Sequence, residues 1–415
     1  MKEPMRIIIL DPLLKDQSGH QFFYAAKLKK ELESRGAVVL CLGNEAASKE
    51  CDELGGFYPC LNDIAGSIFR SGRLPDLFAV WKLVRELERK FAGAFFGGSG
   101  PGLQDNDLVI CHDLYPFEFL AFCLFVRRYR GRFLRKNCRF EFLFGFSYAR
   151  ASGLETFFLA CLYKFCDWLL SGTGTVYFAD GRLLQEQYER LLRKKVYFSP
   201  MPVFPLPISA DIARIEPDVC AVAFLGGARY NKGFDIVVEA LADITGGPGL
   251  AAPVRFFIQV DVHRNQFEKD KLLSEAAAGR LREFGKKDDR IRIIPGHLSA
   301  REYYRLLEDS DVILLPYRSG SFQTVPSNVF VEAVVAGKIP VVSGGTTMAD
   351  FLRRHGMDEL IMERYDPACL ADKIRLCAGQ RERLLKAAGA AAKDMSELNS
   401  VGKLADALLA KAAPE

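Results

Sequence analysis

The chain has 415 residues, of which 49% are hydrophobic and 26% are charged, and its formal net charge is +4. This composition is typical of globular proteins and excludes an intrinsically disordered chain. At roughly 100–200 residues per domain, the length predicts two or three domains with an ample core.

Targeting and redox signals are weak. Eleven cysteines are scattered along the chain without a C-x-x-C pair, which indicates reduced thiols rather than a disulfide framework or a zinc site. The opening "MKEPMRIIILDP" has too short an apolar run for a signal peptide. The most apolar stretch, 157–170, is interrupted by Lys164 and Asp167 before it reaches the ~18 residues of a membrane span. We therefore expect a cytoplasmic protein, either soluble or attached peripherally to the inner face of the membrane.

The first half of the chain alternates between strand and helix patterns. The β-branched run at 6–10 predicts a buried parallel strand, the spacing over 21–36 predicts a helix, and 37–43 predicts the next strand. This order is typical of a doubly wound α/β domain. Further strands are predicted over 107–111 and 139–147.

The segment 199–218 predicts an interdomain linker, because it carries five prolines that no helix or central strand would accept. We expect four parts in the chain. They are a Rossmann-like domain over 1–203, the linker over 204–218, a second Rossmann-like domain over 219–380, and a helical segment over 381–415 that returns toward the first domain.

The strand–helix alternation restarts beyond the linker, so we expect two doubly wound sheets. Ligands of such sheets bind outside the carboxyl ends of the strands. Two such domains would place a site in the cleft between them. The predicted strands are 220–226, 254–260, 291–296, 311–317 and 339–343, and the predicted helices are 233–244, 267–284, 300–310 and 328–336.

The stretch "FLGGARYNKGFD" (224–235) is a candidate anion site. A predicted strand ends in two glycines, and Arg229 and Lys232 then precede a helix. Glycines allow a close approach of the backbone, and two cations beside a helix start attract an anion. The alternative is an exposed turn with two solvated cations.

The stretch "QTVPSNVFVEAVVAGKIPVV" (323–342) is the second candidate. Ser327 is suited to cap a helix whose first N–H groups would favour an anion, and Asn328 and Glu332 fall on one face of that helix. Glu332 is the only charge between Arg318 and Lys338. Because an isolated buried carboxylate is unfavourable, it needs partners. The hydroxyls of a sugar would suit it, as would local N–H groups or a nearby arginine.

These stretches together resemble the donor domain of GT-B glycosyltransferases, the retaining glycosyltransferase family 4 group (glycosyl transferases group 1). The resemblance covers roughly 220–345 and extends more loosely to the first strand–loop–helix. It implies a GT-B fold with an acceptor-binding first domain and a donor-binding second domain. It also implies that Arg229, Lys232, Ser327 and Asn328 contact the donor diphosphate, and that Glu332 holds the nucleotide ribose.

The sequence departs from the family pattern at one position of its glutamate-x7-glutamate motif. Eight residues upstream of Glu332, where the family usually carries another glutamate near the donor sugar, this chain has Thr324. The spacing from Arg229 to Lys232 is also tighter than usual. Thr324 still offers a hydrogen bond to a sugar hydroxyl, but it brings no negative charge.

Further candidate residues lie in the first domain: Gly19 for the donor diphosphate, and His20 and Asp113 for the acceptor. Gly19 and His20 open a predicted helix, which suits a phosphate or the acceptor, while His20 alternatively faces solvent. His112 and Asp113 follow a strand's carboxyl end, where they favour acceptor handling or polarisation. A structural histidine is the alternative for His112.

Two D-x-D patterns, 105–107 and 309–311, match those of metal-dependent transferases, but each directly precedes a predicted buried strand, where aspartate is ordinary. None of the five histidines forms a ligand pair. We therefore expect no metal and no cofactor other than the donor substrate.

The segment 125–142 is the most basic part of the chain. It suits an anionic membrane surface or a solvated helix end, and it carries no nucleic-acid recognition motif. Within 121–150 a single acid, Glu141, accompanies eight cations: Arg127, Arg128, Arg130, Arg132, Arg135, Lys136, Arg139 and Arg150.

We expect retaining transfer of a sugar from a nucleotide-diphosphate donor to a hydroxyl of a glycan or lipid-linked acceptor, in polysaccharide biosynthesis. His112 and Thr324 would face the reacting sugars. Two alternatives remain open: another GT-B enzyme, such as a sugar-nucleotide epimerase, or a non-catalytic GT-B scaffold that binds a nucleotide sugar or a partner protein.

Overall fold

The computed structural model describes residues 4–16, 20–62, 77–145, 147, 153–203, 218–246, 250, 252–262 and 268–412. The chain forms two compact units. The first comprises Met1–Pro202 together with Asn399–Glu415, and the second comprises Val203–Leu398. The predicted linker, 204–218, lies outside the described residues except for Asp218.

The first unit contains a seven-stranded parallel sheet in the order β3-β2-β1-β4-β5-β6-β7. The all-buried sequence of β1 fits a strand covered on both faces. The strands are β1 (Arg6–Leu10), β2 (Val38–Asn44), β3 (Phe57–Leu61), β4 (Leu108–His112), β5 (Arg139–Phe144), β6 (Thr175–Ala179) and β7 (Val196–Phe198).

Helices flank this sheet, and those on one side share a phenylalanine-rich core. Phe91, Phe122, Phe140 and Phe142 meet there, all almost fully buried. The helices are α1 (His20–Ser34), α2 (Leu77–Phe96), α3 (Pro116–Arg128), α4 (Arg130–Arg135), α5 (Gly153–Leu169) and α6 (Arg182–Leu192), joined by α15 (Val401–Ala412) from the end of the chain.

The second unit contains a six-stranded parallel sheet in the order β10-β9-β8-β11-β12-β13. Its strands are β8 (Cys220–Phe224), β9 (Val254–Val260), β10 (Ile291–Pro295), β11 (Val312–Leu315), β12 (Ile339–Ser343) and β13 (Ile361–Met362). Its helices are α7 (Phe234–Gly246), α8 (Glu268–Gly285), α9 (Ala300–Asp309), α10 (Ser319–Phe322), α11 (Asn328–Val335), α12 (Thr347–Arg354), α13 (Pro367–Gly379) and α14 (Arg381–Leu398).

Both sheets follow the same pattern, in which the strand order reverses beside the first strand of the unit. The prediction of two doubly wound α/β sheets is therefore confirmed. The switch points lie between β1 and β4 and between β8 and β11, and ligands of such sheets bind at the carboxyl ends there.

Some predicted elements were incomplete. The strand predicted over 139–147 ends at Phe144, and β3, β6, β7 and β13 were not predicted. The sequence of β3 contains Pro59, which hid it; an edge strand tolerates proline because one of its sides makes no ladder bonds. Within the described parts of the chain, no helix is long and apolar enough to cross a membrane.

Candidate functional site

The turn after β8 is held open by two glycines. Gly226 and Gly227 have φ values of +89° and +86°, a backbone conformation that residues with a Cβ rarely adopt. Their amides donate to Oε1 of buried Gln259 at 2.8 and 3.3 Å. A Cβ on Gly226 would lie 2.5 Å from the Lys232 Nζ and 3.3 Å from Val329. The absence of a side chain at Gly226 therefore leaves room for the Lys232 ammonium and for Val329 of helix α11.

Lys232 points inward rather than into solvent. It is only 5% exposed, and its Nζ donates to the Gly226 carbonyl at 3.0 Å. The same ammonium lies 5.3 Å from the centre of the Tyr317 ring. A buried lysine beside a strand's carboxyl end and a helix start places a fixed positive charge at the switch point.

Helix α11 begins at this cation. Ser327 is its N-cap, and the Ser327 hydroxyl accepts from the Phe330 amide at 3.3 Å. Burial raises the pKa of Tyr317, while the Ser327 hydroxyl and the nearby Arg229 charge act in the opposite direction. The structure thus brings Ser327 close to Arg229 and Lys232, which lie about a hundred residues earlier in the sequence. Asn328, half-buried, is the first residue of the helix.

Arg318 fixes the loop that carries these cations, and sequence reasoning missed it. Its guanidinium carbon lies 3.8 Å from the centre of the Tyr230 ring, and its Nε donates to the Tyr230 carbonyl at 3.1 Å. An ion pair with Asp235 at 2.6 Å completes the contact. The loop between Arg229 and Lys232 is therefore anchored from outside the motif.

Glu332 has two tyrosine partners. The Tyr303 hydroxyl donates to Oε2 at 2.5 Å, and the Tyr304 hydroxyl donates to Oε1 at 3.1 Å. Burial and the adjacent carboxylate raise the pKa of both tyrosines. The two tyrosine hydroxyls thus orient the carboxylate from two sides.

Thr324 lies in the short segment between α10 and α11 and is half-buried. Among the described residues its hydroxyl makes no hydrogen bond. The neighbouring Val325 carbonyl accepts from the Thr347 hydroxyl at 3.4 Å, which ties this segment to the start of α12. Thr324 is therefore positioned by the backbone around it.

In the first unit, His112 ends β4 and is 7% exposed. Its Nδ1 lies 2.8 Å from Oδ2 of Asp11, which follows β1, and its ring stacks on Tyr24 with centroids 3.9 Å apart. Burial opposes the charge on the ring, but Asp113, Asp11 and Asp180 together raise the pKa of His112 to about 9. At neutral pH the imidazole is therefore protonated on both nitrogens.

Asp113 and Asp180 flank Gly145, the residue after β5. A Cβ there would lie 2.4 Å from Asp113 Oδ1 and 3.3 Å from Asp180 Oδ2, so only glycine fits between the carboxyl groups. Asp113 has a φ of +51°, a conformation uncommon for aspartate. Burial and then the Asp113 charge raise the pKa of Asp180 to about 8, against the effect of His112.

Two polar atoms in this cluster are unsatisfied. Within the part of the chain that the structure describes, the Tyr24 hydroxyl and Asp180 Oδ1 are buried and make no hydrogen bond. Native proteins rarely leave such groups without a partner. The cluster at the carboxyl ends of β1, β4, β5 and β6 therefore has hydrogen-bonding capacity to offer a ligand.

Two predicted residues cannot be placed in this cluster. Gly19 lies outside the described residues, and so does the side chain of His20, which opens α1.

The second unit matches a known protein family in sequence. Residues 219–379 match the family model described as Glycosyl transferases group 1. No curated protein is significantly similar to the chain in sequence.

Solved structures resemble the chain over its whole length. A glycosyltransferase from Rickettsia africae ESF-5 has a TM-score of 0.68 at 13% identity, covering 99% of this chain and 98% of that one. Anabaena HepE in complex with UDP-glucose has a TM-score of 0.64 at 14% identity, with 98% of each chain covered. A UDP-forming trehalose-phosphate synthase from Burkholderia vietnamiensis has a TM-score of 0.65 at 15% identity, covering 98% and 99%.

The fold is GT-B. The matched region contains β8, α11 and the predicted donor residues other than Gly19, and it belongs to the second unit of the GT-B chain. The cluster around His112 belongs to the first unit. Asp11, Tyr24 and Asp180 were not predicted there. Asp11 and Asp180 each follow a strand directly, and this position could have marked them as candidates. For Asp180 it would have been necessary to predict β6 first.

The second aspartate of each D-x-D pattern, Asp107 and Asp311, is buried in an ion pair. Asp107 is fully buried and pairs with Arg6 at 3.0 Å. Asp311 is likewise buried, pairs with Arg381 at 3.0 Å and accepts from the Ala221 amide at 2.9 Å. Among the described side chains, no three from His, Cys, Asp and Glu are grouped to hold a metal ion.

Proposed function

We propose that the protein is a retaining, metal-independent glycosyltransferase of the family 4 type. It would transfer a sugar from a nucleotide-diphosphate sugar to a hydroxyl of a glycan or lipid-linked acceptor. The observation that carries the proposal is the convergence of Arg229, Lys232 and the Ser327-capped start of α11 at the carboxyl end of the second sheet. These residues lie within the region that matches the glycosyltransferase family model.

The donor chemistry requires stabilisation of a departing diphosphate. Lys232 is oriented by the Gly226 carbonyl before any ligand arrives, and the free N–H groups at the start of α11 add a positive dipole end. Preorganised charges of this kind stabilise a developing anion without reorganisation. Arg229 and the Asn328 amide complete the set.

Glu332 and Thr324 would contact the rest of the donor. The Glu332 carboxylate, already held by Tyr303 and Tyr304, would accept hydrogen bonds from the ribose hydroxyls. Thr324 would hydrogen-bond the transferred sugar. Because Thr324 is neutral, the electrostatic contribution of the family's first glutamate has to be absent here.

The cluster in the first unit would handle the sugars. His112, protonated and held through Nδ1 by Asp11, would donate from Nε2 to a sugar oxygen. Asp113 would accept from an acceptor hydroxyl, as would the unsatisfied oxygen of Asp180. Gly19 and His20, from the loop that follows β1, would add contacts to a phosphate or the acceptor.

The setting of the reaction is part of the proposal. Free thiols at all eleven cysteines support a reducing compartment, the cytoplasm. We propose no cofactor besides the donor. UDP sugars are the first donors to test, because the Anabaena structure contains UDP-glucose and the Burkholderia enzyme is described as UDP-forming.

Thr324 favours a second candidate, a non-catalytic scaffold that binds a nucleotide sugar. A binding protein needs the cations and the ribose carboxylate but not the missing glutamate. The two candidates therefore share the donor site and differ in turnover.

The test combines binding with turnover. Thermal unfolding is followed with UDP, GDP, dTDP and ADP and with their glucose conjugates, and release of nucleoside diphosphate is then assayed with candidate acceptors. Stabilisation by one nucleotide together with its release supports the enzyme. Stabilisation without release supports the scaffold, and no stabilisation by any nucleotide refutes the donor site.

The variant Lys232→Met tests whether nucleotide binding depends on the charge of Lys232 rather than on the stability of the fold. It removes the charge and keeps most of the side-chain volume, so nucleotide stabilisation should disappear while the fold persists. Lys286→Met is the control, because Lys286 is exposed and pairs with Glu283, three residues earlier in sequence, at 3.1 Å.

A further inference from the structure

Helix α5 exposes a continuous apolar face. Its outward side chains are large and apolar, and they recur every three or four residues, so they lie on one side of the helix. Leu159, Tyr163 and Cys166 are buried on the opposite side. We name the exposed side the α5 apolar face; it consists of Leu154 (81% exposed), Phe157 (67%), Phe158 (47%), Phe165 (46%) and Trp168 (58%).

Two cations border this face. Lys164 lies beside it on the same helix, and the Arg127 guanidinium lies 5.7 Å from the centre of the Trp168 ring. Neither cation forms an ion pair with any described residue. The helix also carries two acids: Glu155 is exposed and lies one turn from Phe158, while Asp167 pairs with Lys194 at 2.6 Å.

The basic segment 125–142 combines buried aromatic side chains with exposed cations, among them Arg127 and Arg128. Phe133, Phe140 and Phe142 are buried in the core of the first unit. Arg128 bonds to Glu88 at 3.2 Å and Lys136 to Asp105 at 2.8 Å. Arg127 is the member of the segment whose guanidinium lies over Trp168 on α5.

We propose that the α5 apolar face, with Arg127 and Lys164, lies in the interface of an anionic lipid bilayer. Exposed apolar surfaces of this extent ordinarily mark an interaction site. Aromatic rings on one face of a helix, bordered by cations, are the pattern of helices that lie in the headgroup region. The side chains project from a convex helix rather than line a groove, which suits a flat, deformable partner that is itself negative.

This inference goes beyond the proposed function, since it stands on the α5 apolar face alone and requires no sugar transfer. It also has a geometric consequence for that function. Helix α5 follows β5, so its first turns, with Leu154 and Phe157, lie at the carboxyl edge of the first sheet. His112 and Asp180 are at the same edge, so an acceptor with a lipid anchor would reach them from the bilayer.

The test is co-sedimentation of the full chain with vesicles. Vesicles of phosphatidylcholine alone are compared with vesicles containing equal parts of phosphatidylcholine and phosphatidylglycerol. We expect binding to the anionic vesicles that weakens with added salt. The double variant Phe157→Ser/Trp168→Ser should abolish it. Arg127→Ala and Lys164→Ala should each lower the partition coefficient about fivefold.

A matched control comes from the second unit, where Leu272 and Leu273 are also exposed, at 58% and 38%. Leu272→Ser/Leu273→Ser should bind like the unchanged chain. Because the chain has two tryptophans, Trp81→Phe leaves Trp168 as the single reporter. Its emission should shift to shorter wavelength on anionic vesicles only.

Three outcomes would overturn the proposal. They are no binding to anionic vesicles at low salt, binding that the α5 variants leave unchanged, and a dimer in solution that the Phe157→Ser/Trp168→Ser change disrupts. The last would assign the face to a second copy of the chain. If the unchanged chain binds anionic vesicles but transfers no sugar, the proposed function is refuted and this inference still holds.

Discussion

His112 Nδ1 lies 2.8 Å from Asp11 Oδ2, and this contact joins the carboxyl ends of β4 and β1 across the switch point of the first sheet. The imidazole is buried, so its charge depends on that carboxylate and on Asp113 and Asp180. A histidine protonated at neutral pH is a hydrogen-bond donor on both sides, and it cannot accept a proton as a general base.

Replacing Asp11 should therefore change the charge of His112. In Asp11→Asn we expect the pKa of His112 to fall from about 9 toward its ordinary range, because one of the raising carboxylates is lost while burial remains. NMR titration of the imidazole measures this directly. Asp16→Asn, a half-buried change in the same loop, is the control. An unchanged pKa in Asp11→Asn would show that Asp113 and Asp180 alone hold the charge.

The raised pKa of Asp180 predicts how stability depends on pH. The unfolded carboxyl titrates near pH 3.9 and the folded one near pH 8, so between these values the native state holds a proton that the unfolded chain has lost. The free energy of unfolding should therefore fall as pH rises from about 4 to about 8. His112 adds a further fall between about pH 6.5 and about pH 9.

Asp180→Asn should flatten the lower part of this decline. Urea unfolding at about pH 5 and about pH 8 measures the difference. We expect the stability of the variant to change less between the two conditions than that of the unchanged chain. Equal slopes would mean that Asp180 is ionised at neutral pH in the folded protein.

The tyrosines on α9 should affect nucleotide binding only through Glu332. Tyr303→Phe keeps the ring and removes one hydrogen bond, and we expect it to lower stability by about 1 kcal/mol and to weaken nucleotide binding slightly. Glu332→Gln should weaken binding strongly if the carboxylate holds the ribose. Calorimetric titration with the nucleotide found by thermal shift compares the two. Equal affinities in Glu332→Gln and the unchanged chain would remove the ribose assignment.

Gly226→Ala should damage the donor site and the fold together. The new Cβ would meet Lys232 Nζ at 2.5 Å in a backbone conformation with φ of +89°. We expect a loss of about 1–3 kcal/mol and weaker nucleotide binding. Gly246→Ala, where nothing lies within 4 Å of the new atom, is the matched control and should keep both properties. Thermal unfolding with and without nucleotide checks both variants.

Sequence periodicity sufficed for the strands that are buried in the middle of a sheet, such as β1, β8 and β12, because their uninterrupted apolar runs have few alternatives. It failed at the edge strand β3, where Pro59 breaks the pattern without breaking the strand. It also gave no hint that Glu141 is buried. The surrounding cations predict a solvated position for that acid, but it is 1% exposed within β5, and burial raises its pKa well above the usual range.

The candidate sites were predicted in part, for a similar reason. Arg229, Lys232 and Ser327 lie in motifs with local signals, namely glycine turns and a helix cap. Tyr303 and Tyr24 carry no local signal, since tyrosines on helices are ordinary. Their roles depend on side chains 29 and 88 positions away, Glu332 and His112. Contacts between remote segments arise from sheet order, which periodicity does not encode.

The end of the chain has a consequence for its synthesis and dissection. Helix α15 belongs to the first unit, where Leu404 and Leu408 are fully buried and the guanidinium of Arg35, the residue after α1, donates to the Gly402 carbonyl at 3.0 Å. During translation, 366 residues therefore separate α1 (His20–Ser34) from its partner helix α15 (Val401–Ala412). A gene fragment encoding 203–398 specifies one contiguous unit. A fragment that ends at residue 202 lacks α15 and therefore exposes to solvent the apolar surface on which α15 packs.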